Sequence, residues 1–590
     1  MELTGRTIVD SLLRLEDCAL YGARFVPRAG EPAFHPYWEV LERAKAAAGA
    51  LQARGLEPGD RVAIILPTSI EFMETFLGVQ LAGGVPAALY PPLRLGRLAE
   101  YFARTRRMLE KVGARFLVTD PRIRQILGPA VEGVRSLREV LEAGRLGSGR
   151  WTAVPLDAES PAFLQFSSGT TVEPKAVVIS HRNLLANLAM IDSFFETLTP
   201  AEVGQGGVCW LPLYHDMGLL GHMYIGLYHP GTVTYIGPDH FIAKPAVWLQ
   251  TLSRYRGIVS GAPDFAYGLC LSKVRDQDLV GVDLSSWKVA FNGAEPIRTE
   301  TMRAFSERFA RYGFRPEAMT PVYGLAEAGL AVSFSDPRLV PRVSEFDRDR
   351  LSSRGEAVPG PGRRLPSVGR AVPGLDVEIR WDGNPLGEGR VGRITVKGPS
   401  ITPGYYGDPE LSAQGIRDGW LDTGDLGFLH DGELYVSGRL KDLIIIRGRN
   451  FAPQEVEELL AGVAGLRTGC CVAVSHPGDE EEGERLVVLA ERDLAASRPD
   501  EEVLVEVRER VLGGLGLQPH RVELLAPGTL PRTSSGKLRR ADALRMFLAG
   551  QLQPPAKVSR LKLAYEVGRS RLAWGRFWLQ RAIRPQADRS

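Results

Sequence analysis

Residues 163–187 read FLQFSSGTTVEPKAVVISHRNLLAN, and the middle of that stretch is suited to holding anions. Ser167, Ser168, Thr170 and Thr171 supply hydroxyls, Gly169 lets backbone N–H groups converge, and Lys175 adds a positive charge. A concave cluster of such donors suits a polyphosphate. It is not a Walker A loop, because the chain contains no G-x-x-x-x-G-K. Taken alone, the same residues also read as a polar turn between two strands.

Other chemistry-bearing segments follow in order. VCWLPLYHDMGLLGHMY (208–224) carries His215, FNGAEP (291–296) carries Gly293, Ala294, Glu295 and Pro296, and YGLAEA (323–328) carries Tyr323 and Glu327. WLDTGDLGF (420–428) brings Asp425, GRLKDLIIIRGRN (438–450) brings Arg439 and Lys441, and PRTSSGKLRR (531–540) brings Lys537. Each has a plainer reading: Asp425 as a turn acid, Glu327 as a carboxylate favouring a helix start, His215 as a structural histidine, Lys537 as a solvated lysine.

The elements that must position these residues alternate between strand and helix. RVAIILP (61–67) reads as a buried strand, and Phe72, Phe76 and Val79 recur at helical spacing after it. RFLVTD and WKVAFNGA read as further strands, the latter leading into a helix with Phe305, Phe309 and Tyr312 on one face. This alternation predicts an α/β architecture around largely parallel sheets, with ligands held beyond the carboxyl ends of the strands. A Pro/Gly/Arg-rich stretch at about 337–374 is too long for an ordinary connection and reads as an insertion, lid or flexible loop. From Arg439 the pattern becomes that of a compact α+β unit, closed by the PRTSSGK loop and the helix KLRRADALRMFL.

The 590 residues, with 44% hydrophobic and 24% charged content, fit a globular chain of several packed units. Net charge is only +2, which excludes a protein devoted to coating nucleic acid. Cys18, Cys209, Cys270, Cys470 and Cys471 form no CxxC pair, so reduced thiols and no structural zinc are expected. No signal peptide or spanning helix is legible, and a cytoplasmic location is the expectation. Residues 556–590 differ from the rest: nine Lys/Arg against two acids, interleaved with Leu572, Trp574, Phe577, Trp578 and Leu579. Such a basic, aromatic-bearing helix suits an anionic membrane surface or an acidic carrier protein, unless it packs back on the body.

With seven motifs in this order, the chain resembles the adenylate-forming superfamily over roughly residues 10 to 550. Within it the chain is most similar to the fatty acyl-AMP ligase branch. The resemblance implies a large multi-subdomain N-terminal adenylation domain (1–438), a small mobile α+β C-terminal domain (439–552) and a basic amphipathic tail (553–590). It implies that a fatty acid is joined to AMP from ATP with Mg2+ present, then passed to the phosphopantetheine thiol of an acyl carrier protein. The loop Ser167, Ser168, Gly169, Thr170, Thr171 and Lys175 would hold the β- and γ-phosphates. Gly293 to Pro296 and Tyr323, with Gly324, Leu325 and Ala326, would frame the adenine. Glu327 would bind Mg2+, Asp425 and Arg439 the ribose, and His215 would flank the acyl carboxylate. Lys537 would reach the bridging and carboxylate oxygens, and Lys441 matches the hinge.

Two residues depart from the family pattern, Val172 and Ala176 standing where glycine is usual. A β-branched residue resists positive φ. A catalytically silent lipid-binding or scaffold relative is therefore one alternative, and an acyl-CoA synthetase using coenzyme A another. Ala326 before the acid and SEFDRDRL (344–351) in the insertion are similar to the fatty acyl-AMP ligase branch and point to a carrier protein.

Overall fold

In the computed structural model, which describes residues 6–92, 95–147, 149–166, 174–195, 206–446, 448–476, 484–533, 536–555 and 559–583, two largely parallel sheets form the centre of the large body. The six-stranded sheet runs Glu139–Glu142, Phe116–Thr119, Arg61–Ile65, Val85–Ala88, Pro161–Phe166, Ala176–Ser180, with only the last pair antiparallel. The nine-stranded sheet carries Met319–Gly324, Val289–Asn292, Val259–Ala262, Gly207–Cys209, Val233–Ile236 and Gly22–Val26 as parallel neighbours, with antiparallel strands at both edges. The strands at 61–65, 116–119 and 289–292 and the helix Ile70–Leu81 fall where hydrophobic periodicity places them. Buried on both faces, such strands read as near-continuous apolar runs, as Val62–Ile65 does.

A third, antiparallel sheet (Asp376–Trp381, Gly392–Lys397, Trp420–His430, Glu433–Arg439) leads to the carboxy-terminal unit. There, Leu466–His476, Arg485–Arg492 and Arg521–Leu525 form a three-stranded sheet. The helices Pro453–Leu459 and Asp500–Leu515 bury Val456, Val503, Val507 and Val511 against it.

The middle of the 337–374 stretch is a hairpin, Val343–Asp347 with Gly362–Pro366, joined through the short helix Arg348–Arg354. Phe346 anchors it by packing edge-on against Phe428 and Tyr435. The hairpin also reaches the small domain. Arg348 donates to Gly514 O, Asp349 pairs with Arg449, and Arg363 stands 3.4 Å from Glu455.

Of the two readings of the tail, the structure shows the one in which it packs back on the body. Its helix, Arg560–Ile583, lies along Pro121–Val131 of the large body. Glu566, Ser570, Ala573 and Phe577, spaced at helical period, form the buried stripe. Trp574 Nε1 donates to Arg124 O at 3.1 Å, and Ser570 Oγ accepts from Gly128 N at 2.9 Å. A Cβ at Gly128 would lie 2.3 Å from Ser570 O, so only glycine permits this approach. Phe577 is fully buried and Trp574 partly so; neither is available to insert into a lipid surface. Tyr565, Leu572, Trp578 and Leu579 face outward with Arg569, Arg571 and Arg576. Among the described residues no helix is long and apolar enough to cross a membrane, and all five cysteines are unpaired.

Candidate active site

Between the large body and the small domain lies a cavity of about 760 Å3. Lys175, His215, Glu295, Tyr323, Glu327, Asp425, Arg439, Lys441 and Lys537 all line it, although they are scattered over some 360 residues of sequence. Ser167, Ser168, Gly169, Thr170 and Thr171 lie outside the described residues, as does Val172. Ala176 opens a buried strand and has no positive φ, so its methyl group costs no backbone strain there.

Asp425 is at the centre of one network. Tyr323 Oη donates to its Oδ2 at 2.8 Å, and Arg439 Nε donates to its Oδ1 at 2.8 Å. The Asp425 charge holds the Arg439 guanidinium above its ordinary pKa, and burial pushes the Tyr323 phenol up, so neither titrates near neutrality. Asp425 lies where the register of the strand Trp420–His430 shifts against Gly392–Lys397, just after Gly424 with φ +71°. Carboxylate oxygens carry two lone pairs each, which leaves capacity to accept from a diol.

Glu327 sits on a short 3-10 turn after the strand Met319–Gly324. Its Oε1 accepts from Tyr405 Oη at 3.1 Å, and Lys175 Nζ lies over the same tyrosine ring at 5.3 Å. Burial raises the Glu327 carboxyl and lowers the Lys175 ammonium. Among the described residues Glu327 has no ion-pair partner, and no cluster of three His, Cys, Asp or Glu side chains surrounds it. A half-buried carboxylate without a cationic partner fits a hard cation whose other ligands are phosphate and water oxygens.

In the GAEP segment Ala294 takes φ +65°, a left-handed conformation that costs a non-glycine residue energy. Gly293 packs so tightly that a Cβ there would lie 2.6 Å from Val322 Cγ2. Glu295 accepts from Phe265 N at 2.6 Å, and burial, then the Asp264 charge, raises its carboxyl.

His215 Nδ1 stands 2.6 Å from Asp216 Oδ1. Burial works against the Asp216 charge, yet His215 and then Lys537 outweigh it and hold the carboxyl at about 2. Lys537 comes from the small domain on a tight turn: Gly536 has φ +95°, Thr533 N donates to Lys537 O at 2.8 Å, and Lys537 N donates to Thr533 Oγ1 at 3.1 Å. Burial lowers the Lys537 ammonium pKa, while Asp216 and Glu295 pull it back up. Lys441 is exposed on the 3-10 turn Leu440–Asp442, where the third sheet gives way to the small domain.

Sequence reasoning missed Asp216, Tyr405 and the buried Arg298–Asp264 pair (2.7 Å). Asp216 follows His215 directly and could have been found as its partner. Tyr405 and Asp264 carry no local signal, since only the fold brings them to the site.

Residues 22–406 match the family described as AMP-binding enzyme. The chain belongs to that family. A protein of Caulobacter vibrioides, provisionally named an acyl-CoA synthetase, is 35% identical and aligns over 87% of this chain and 90% of its own length. The medium-chain-fatty-acid–[acyl-carrier-protein] ligase JamA of Moorena producens is 32% identical, over 88% and 90%. A solved fatty acyl-adenylate ligase, from work on the E. coli and L. pneumophila enzymes, superposes with a TM-score of 0.86 at 35% identity, covering 92% of this chain and 98% of that one. The chain is an adenylate-forming ligase that uses ATP, with the mixed α/β fold and smaller carboxy-terminal domain expected of one.

Proposed function

We propose that this ligase joins a fatty acid to AMP and passes the acyl group to the phosphopantetheine thiol of an acyl carrier protein. The observation that carries it is the meeting of Lys537, Asp216, Glu327 and the Asp425–Arg439 pair around one cavity with an apolar extension. In the first step a carboxylate oxygen attacks the α-phosphorus of ATP, the bond to the bridging oxygen breaks, and pyrophosphate leaves. Two anions must approach, so positive charge is needed where phosphate oxygens gain it. Lys175 would neutralise the β- and γ-phosphates and Lys537 the α-phosphate and carboxylate oxygens, while His215, beside Asp216, would flank the acid. Asp425 and Arg439 hold the ribose, and the GAEP segment with Tyr323 to Ala326 frames the adenine. Glu327 would hold Mg2+, which would add Lewis-acid charge at the phosphates when bound.

In the second step the thiol sulfur attacks the acyl carbon, AMP leaves, and the thiol proton passes to solvent. The small domain (439–552) moves between the steps about Lys441, withdrawing Lys537. The insertion favours a carrier over coenzyme A by restraining that motion, which its contacts through Arg348, Asp349 and Arg363 support. The test is pyrophosphate release and mass detection of acyl-AMP across straight-chain acids, followed by discharge with either holo carrier or coenzyme A. Acyl-AMP discharged by the carrier supports the reading. Discharge by coenzyme A alone points to an acyl-CoA synthetase, and absence of acyl-AMP points to a silent relative.

A second reading concerns the tail. Its outward face, with Leu572, Trp578 and Leu579 beside Arg569, Arg571 and Arg576, suits peripheral contact with an anionic membrane, each engaged arginine contributing about 1 kcal/mol. Co-sedimentation with anionic vesicles should weaken as salt rises and be lost in a Leu572→Ser/Leu579→Ser variant. Partitioning that neither change alters would exclude the contact.

A further inference from the structure

The turn that carries Lys537 is stiffened by its own domain. Arg532 donates from Nη1 to Gly536 O at 2.7 Å and from Nη2 to Gly469 O at 2.8 Å. Gly536 N donates to Thr533 O at 3.1 Å, closing the turn that also ties Lys537 to Thr533. Held this way, Gly536 and Lys537 move together, and a shift of the glycine is passed to the lysine backbone. Across the domain boundary Gly536 faces a side chain of the large body. A Cβ built on the glycine would have three atoms of the Phe265 ring as its nearest neighbours, Cζ at 3.4 Å, Cε1 at 3.6 Å and Cε2 at 4.0 Å. The tip of the ring therefore points at Gly536, where φ +95° makes any side chain strained.

Phe265 is itself firmly based. It follows the buried strand Val259–Ala262, and its neighbours are tied from behind. Asp264, 1% exposed, accepts from Arg298 Nε at 2.7 Å and from Arg298 N and Asn292 Nδ2, each at 3.3 Å. Phe265 N donates to Glu295 Oε1 at 2.6 Å, so one oxygen of that carboxylate is engaged in fixing the platform. The ring stands edge-on to the buried Trp210, with centroids 6.1 Å apart, and Trp210 stacks in turn on Phe241. A ring backed by close-packed aromatics yields little when something presses on its tip.

We propose that Phe265 is a positioning residue, its ring the seat on which the small domain's Gly536–Lys537 turn lands for acyl-adenylate formation. This deepens the reading above and rests on the role given there to Lys537. Lysine is a point charge on a flexible four-carbon stem, so its ammonium is placed only as well as the backbone that carries it. Misplacement of a catalytic group by about 1 Å can cost about a hundredfold in rate.

The experiment is a double-mutant cycle on acyl-AMP formation from ATP and a set of straight-chain acids from octanoate to hexadecanoate. Phe265→Ala, which removes the seat, should lower kcat by about tenfold to a hundredfold while KM for ATP and acid stays within about threefold. Phe265→Tyr keeps the ring but adds an oxygen at the atom nearest Gly536, and it should lower kcat too. In a Lys537→Ala background neither change should slow the step further, since the ring acts only through Lys537. Losses that add to that of Lys537→Ala, or that grow with acid chain length, would assign the ring to substrate contact and overturn the proposal. A wild-type rate in Phe265→Tyr would also overturn it, and decides it even if the alanine variant fails to fold. If Lys537→Ala alone leaves acyl-AMP formation unchanged, or the wild type forms none, the reading above falls and takes this inference with it.

Discussion

Two carboxy-terminal segments rest on the same large body, one after the other, and they hold to it by different means. The small domain touches it through polar groups. Arg97 donates to Thr529 O at 2.9 Å, Arg363 pairs with Glu455 at 3.4 Å and Arg539 with Glu100 at 3.6 Å, and Arg348 reaches Gly514 O. The tail helix that follows buries Phe577 and Ala573 completely and seats Ser570 on Gly128. A pair buried on docking, as Arg363–Glu455 is, returns much of its Coulombic gain as desolvation cost, and its partners are rehydrated when they part. Buried aromatic surface cannot be exposed so cheaply. The difference suits the motion proposed above, with the far end of the chain anchored by apolar burial and the unit before it held by polar contacts.

The largest effect expected on that contrast comes from Phe577→Ala, which should weaken docking of the tail helix by about 3–5 kcal/mol. Hydrogen exchange through Arg560–Ile583 and Pro121–Val131 would read it, while protection in the small-domain strands should stay as it was. Unchanged protection in the tail would break the comparison. A smaller effect is expected from Glu458 of the small domain, which lines the cavity and is exposed to it; partial desolvation raises its carboxyl to about 7, an effect that solvent screening reduces. A carboxyl raised in the docked state favours docking fully below its ordinary value, and that contribution is lost as pH rises through about 7. Docking of the small domain, followed by a fluorophore pair across the cavity, should therefore loosen by about tenfold between acidic and neutral pH. Glu458→Gln should flatten the profile, and a profile that stays steep in that variant would assign the titration to another group.

How much of this could be read in advance differs between the same regions. Lys537, Asp425 and Glu327, which the fold brings to one cavity, stand out in the sequence because each is a charged residue inside a short motif. The docked face of the tail does not. Its buried stripe, Glu566, Ser570, Ala573 and Phe577, has one large apolar residue, while Leu572 and Leu579, the more hydrophobic positions, face outward. Hydrophobic periodicity therefore points at the wrong side of the helix. The insertion hid its order for a similar reason, since Phe346 finds Phe428 and Tyr435 only through the tertiary fold.

The central claim, that Lys537 is delivered by the small domain to make an acyl-adenylate, is tested most directly by separating the two half-reactions in Lys537→Ala. Single-turnover acyl-AMP formation from ATP and a fatty acid should slow by about 10²–10³. Transfer to the carrier from supplied acyl-AMP should be nearly unchanged. Equal loss in both steps, or none in the first, would contradict the account.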